Sequence, residues 1–132
     1  MSTRDLLGAL TQLTRELDTL IAGRPDLAEL CDITVASHSG YRTPGQLHLA
    51  GQTTPAEVLA WCDAVEATTG RCLGGGEDMV TVTATGRVGG LPTDILTSLP
   101  RTLAERLGPE WTVGQLRELL GAPPTEPAGG AR

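Results

Sequence analysis

At Cys31 the spacing of apolar residues changes from that of a helix to that of a strand, and this switch constrains the fold more than any other feature. Before it, Leu6, Leu10, Leu13, Leu17 and Leu20 recur at steps of four and three, while Arg4, Gln12, Arg15, Asp18 and Thr19 point elsewhere. That is an amphipathic helix, stopped by Gly23 and Pro25. After it, Cys31, Ile33 and Val35 alternate with Asp32, Thr34 and Ala36, and Leu47 and Leu49 alternate with Gln46 and His48. SGYRTPG lies between them with the glycine and proline of a loop, so the segment reads as a hairpin with strands near 31–37 and 46–50.

TTPAEV opens a second helix, with Thr54 as N-cap, Pro55 in the first position and Glu57 completing a capping box. Its inner stripe is Val58, Leu59, Cys62 and Val65, with Trp61 at the flank and Gly70 as its stop. RCLGGGEDM reads as a short connection. Val80, Val82, Ala84 and Val88 then alternate with threonines, and the chain turns at Gly89-Gly90 and returns through Leu91 to Leu99. Gly86 reads as a bulge or bend, and Pro92 places the returning strand at an edge. Two short helices follow, RTLAERLG and WTVGQLRELLG, the second with Thr112 and Gln115 at capping-box spacing. The remainder, 121–132, is GAPPTEPAGGAR, rich in Pro, Gly and Ala, and is expected to be a disordered tail.

The expected fold is a two-layer α+β domain over residues 1–120, in the order α-ββ-α-ββ-αα. Two hairpins form an antiparallel sheet of about four strands, with the helices over one face. The chain has no phenylalanine, one tyrosine and two tryptophans, so leucine, valine, alanine and isoleucine must build the core. Modest stability follows unless a second copy adds an interface, which makes a homodimer one candidate assembly. The leucine seam of the first helix spans only about two heptads, so it is expected to cover the chain's own sheet.

Composition excludes some chemistry. There is no lysine, hence no Schiff-base or P-loop lysine. Ten arginines against 16 acids give a net charge of −6, which disfavours nucleic acid and anionic membranes as partners. The start, MSTRDLLGAL, has neither a secretory signal nor a membrane-spanning run, and Cys31, Cys62 and Cys72 form no CxxC. Free, reduced thiols in the cytoplasm are expected, with Cys31 and Cys62 facing inward. The scarcity of residues with AT-rich codons points to a high-GC bacterium or one of its phages.

His38 and His48 both project from the outer face of the first hairpin if residue 36 lies opposite residue 48, with Asp32 and Thr34 nearby. These are too few converging ligands for zinc, and no metal or other cofactor is expected. Ser37, His38 and Ser39 are sequence neighbours, but they alternate across the strand and no GxSxG elbow accompanies them. Gly74-Gly75-Gly76 lacks the lysine and following helix of a phosphate loop. A catalytic constellation is therefore not expected.

One segment raises a different function. In 103–108, Ala104 and Gly108 stand four apart beside Leu103 and Leu107, as in the first helix and turn of a helix-turn-helix. The next helix would then read DNA with Thr112, Gln115 and Arg117. Against this, Val113 falls one residue early, and Arg101, Arg106 and Arg117 are offset by Glu105, Glu110 and Glu118.

The stretch QLHLAGQTTPAEVLAWCDAV, followed by VTVTATGRVGGLPTDILTSLP, resembles a class of small actinobacterial proteins from phages and integrated mobile elements. The resemblance covers roughly residues 5–100 and includes a leucine helix, a hairpin, a helix with a tryptophan like Trp61, and a final hairpin on a glycine turn. It implies a mobile-element context and carries no catalytic residue across. The function expected is non-enzymatic: a small cytoplasmic protein-interaction or regulatory module. Its partner is a protein, met through Tyr41 and Arg42 at the hairpin tip and through Thr34, His38 and His48 on the outer face. A DNA-binding regulator using 101–120 is the alternative.

Overall fold

Reciprocal hydrogen bonds between Ser2 and Asp5 form a capping box that opens the first helix, α1 (Thr3–Gly23). The computed structural model describes residues 2–36, 44–51 and 53–121. After α1 come β1 (Leu30–Val35), β2 (Gly45–Leu49), α2 (Pro55–Ala64), β3 (Thr69–Gly75), β4 (Met79–Val88), β5 (Leu91–Pro100), α3 (Arg101–Leu107), β6 (Glu110–Thr112) and α4 (Val113–Leu120). The fold is α+β. Its strands form one open sheet in the order β1-β2-β5-β4-β3-β6.

The sheet departs from the expected one in size, order and direction. It has six described strands rather than four, and β2 and β5 run parallel while every other neighbouring pair is antiparallel. RCLGG, the first five residues of the expected connection, lies within β3. Its glycines are required there. A Cβ on Gly70 would lie 2.3 Å from the Trp111 ring, and one on Gly75 would lie 2.5 Å from the Met79 carbonyl oxygen. The helix expected to reach Gly70 ends at Ala64, after which Glu66 takes a φ of 60° and the chain reverses into β3. Between α3 and α4, where a turn was expected, β6 pairs with β3 through Gly70↔Trp111.

Two punctuation residues also have other roles. Gly86 sits in regular register opposite Thr93, with no bulge. Its missing side chain lets the end of α2 rest on the sheet, where the Arg87 N–H donates to the Val65 carbonyl at 2.7 Å. Pro92 lies on β5, which is flanked by β4 and β2 and is not an edge. It is tolerated because pairing with β2 begins one residue later, at Gly45↔Thr93. The Gly89-Gly90 turn is as expected, with φ values of 57° and 83°.

One cluster forms the core. The strands contribute Leu47, Leu49, Val80, Val82, Ala84, Val88, Ile95 and Leu99, and every helix packs residues among them. Leu13 and Leu17 come from α1, Val58, Leu59, Trp61 and Cys62 from α2, Ala104 and Leu107 from α3, and Val113 and Leu116 from α4. Trp61 is not at a flank. It is fully buried, and its indole N–H donates to the Ala28 carbonyl at 2.9 Å. The leucine face of α1 is covered only in its middle: Leu13 and Leu17 are buried, Leu6 and Leu20 half-buried, and Leu10 is 38% exposed.

Candidate functional site

Because the core residues of β2, β4 and β5 take alternate positions, the intervening positions form a second face, which no helix covers among the described residues. Register assembles that face into two rows running across all six strands. One row reads Glu110, Arg71, Thr83, Leu96, His48, Asp32, and the other reads Thr112, Thr69, Thr85, Asp94, Gln46, Thr34.

At the β1–β2 end the rows bring Thr34, Asp32 and His48 together. The Thr34 hydroxyl donates to the Asp32 carboxylate at 3.0 Å, and His48 Nδ1 lies 3.8 Å from the same carboxylate. His48 therefore faces outward as expected, but opposite Asp32 rather than residue 36. His38, Tyr41 and Arg42 lie outside the described residues. Cys31, expected to face inward, is exposed, because the pairing steps from Leu30↔Leu49 to Asp32↔His48 and leaves Cys31 in a bulge.

The middle of the face is more enclosed. Asp94 is only 6% exposed and accepts from the Thr85 hydroxyl at 2.7 Å. Thr83, 4% exposed, has a buried hydroxyl with no hydrogen-bond partner among the described residues. Beside it, β3, β4, β6 and the start of α4 enclose an open depression of about 400 Å³. Its walls include Thr69, Arg71, Thr85, Glu110 and Gln115. Arg71 makes no ion pair or side-chain hydrogen bond with any described residue, although Glu110 is its cross-strand neighbour.

The segment considered for DNA reading has most of its charge committed elsewhere. Arg117 reaches from α4 to α2 and holds Asp63 with both nitrogens, at 2.5 and 3.2 Å, with both side chains largely buried. Arg101 grips the turn between β3 and β4 through the carbonyls of Gly76 and Glu77. Thr112 and Gln115 cap α4 reciprocally at 2.8 and 3.1 Å, the capping box expected from their spacing.

Burial pushes the Cys62 thiol up to about 12, with the nearby Asp63 charge adding to it and Arg117 opposing. Cys72, half-buried beside Trp111, is also raised by burial. Among the described residues no group of three His, Cys, Asp or Glu side chains converges as metal ligands, and no helix is long and apolar enough to cross a membrane. No family model, curated protein or solved structure matches the chain.

The sequence located Thr34 and His48 correctly on the outer face. The depression is not legible in the sequence, because two of the three strands that form it carry the signals of a connection and a turn. The alternation Thr81, Thr83, Thr85 was the available signal.

Proposed function

We propose that this chain is a non-enzymatic interaction or regulatory module of the cytoplasm, docking a protein partner on the β1–β2–β5 part of its uncovered sheet face. The observation carrying this reading is the pair of cross-strand rows. They present Asp32, Thr34, Gln46 and His48 around the half-buried Leu96, a polar surface with an apolar centre of the kind protein interfaces use. With a chain charge of −6 and Asp32 in this patch, the partner surface is one that offers cations and hydrogen-bond donors. A mobile-element context fits such a module. The arrangement of arginines favours protein over DNA, since Arg101 and Arg117 already serve the fold and only Arg106 of that segment remains uncommitted among the described residues.

The test is site-specific photo-crosslinking in host lysate, with the probe at position 34, at position 48, or at the exposed Asp18 of α1 as control. The expected result is one discrete protein adduct from 34 and 48 and none from 18. Equal adducts at all three positions, or nucleic acid as the crosslinked species, would overturn the reading.

A further inference from the structure

The depression at the other end of the face offers recognition chemistry that the docking reading does not use. Existing hydrogen bonds divide its polar groups into two sets. The Thr85 proton is committed to Asp94, so that hydroxyl has only lone pairs to offer. Gln115 Oε1 is committed to the Thr112 N–H, which leaves its Nε2 as a donor. The Thr112 hydroxyl accepts from the Gln115 N–H and has its proton free. Arg71 adds a guanidinium, and Glu110 a carboxylate on the adjacent strand, both unpaired among the described residues. The floor holds the Thr83 hydroxyl, buried and without a partner among the described residues, a cost that a folded chain rarely carries without a use.

We infer that this depression binds a small zwitterion of amino-acid size, its carboxylate on Arg71, Gln115 Nε2 and the Thr83 hydroxyl, and its ammonium on Glu110 and the Thr85 oxygen. A simple anion would gain Arg71 but face Glu110, and a simple cation would meet the reverse, whereas a ligand with both charges satisfies both walls. The volume, about 400 Å³, lies at the small end of ligand sites. The inference is independent of the protein-docking surface, which lies at the opposite end of the sheet.

Amide NMR titration of the full chain tests it, with L-serine, L-glutamine and L-leucine as probes and acetate, methylammonium and inorganic phosphate as controls. At least one amino acid should give saturable shifts at 69–71, 83–85 and 110–115, binding at least tenfold more tightly than acetate or methylammonium. Arg71→Met and Glu110→Gln, both surface changes, should each weaken binding about tenfold while the rest of the spectrum keeps its dispersion. Thr83→Val separates site from scaffold: losing an unpartnered hydroxyl should raise the urea midpoint while affinity falls about fivefold. Absence of saturable shifts from all three amino acids, unchanged affinity in Arg71→Met, or phosphate binding more tightly than any amino acid would overturn the inference.

Discussion

Adding one methyl group at Gly86 tests how α2 is seated on the sheet. An alanine Cβ there would lie 2.2 Å from the Val65 carbonyl oxygen and 2.7 Å from a Val65 methyl. Ordinary carbon–oxygen contact needs about 1 Å more, so the end of α2 must lift. Lifting stretches the 2.7 Å bond from the Arg87 N–H to the same carbonyl beyond hydrogen-bonding range. Overpacking costs about 1–3 kcal/mol, and an unpaired buried backbone group adds about 1–3 kcal/mol. Alanine's lower unfolded-state entropy returns about 0.5–1 kcal/mol. The net expectation for Gly86→Ala is a loss of about 1–5 kcal/mol, read as a lower urea midpoint at unchanged slope. Gly114→Ala is the matched control, since its Cβ would meet nothing closer than Thr112 Oγ1 at 3.7 Å. It lies in the first turn of α4 and should gain a few tenths of a kcal/mol. A Gly86→Ala loss no larger than about 0.5 kcal/mol would refute the close approach of α2 to β4.

Three further outcomes follow from named contacts. Thiol labelling of the native protein should modify Cys31 first, Cys72 more slowly and Cys62 only on unfolding, with intact-mass analysis after each interval; early loss of Cys62 would contradict its burial. The raised Cys62 value also sets a pH direction. The folded state holds that proton more tightly than the unfolded chain, so stability should be full below pH 9.0 and decline as pH rises toward 12; Cys62→Ala should flatten that decline in denaturation curves. A double-mutant cycle on Asp63→Ala and Arg117→Ala should give a coupling of about 1–2 kcal/mol, since the pair is bidentate and largely buried, and additivity of the two changes would remove the α2–α4 clamp.

Local chemistry was the legible part of this fold. Thr54 with Glu57, Thr112 with Gln115, and Gly89-Gly90 all act within four residues, and each does what its spacing implies. Non-local pairings were not legible. Nothing in GQLHL or LPTDILTSLP announces that β2 and β5 run parallel, because that register is set by packing of Leu47 and Ile95 in the shared core. β3 was hidden because glycine weakens a strand's apolar signal, and the reason for Gly70 lies 41 positions away in Trp111. Cys31 fits the alternating pattern in sequence but not in space, since one bulge moves it out of phase with Ile33. The same logic governed the site. Thr34 and His48 share a two-residue period with their neighbours and were found, whereas Arg71 and Thr83 become neighbours only once β3 exists.

Both proposed binding roles need one sheet face to be open to partners, and threonine methyl groups report on it directly. With a neutral gadolinium chelate in solution, the methyl groups of Thr81 and Thr85, both exposed, should relax several-fold faster, while those of Val82 and Ala84 on the helix-covered face stay near their diamagnetic rates. Equal protection of both sets would mean that the face is already covered, and the binding role assigned to it would fail.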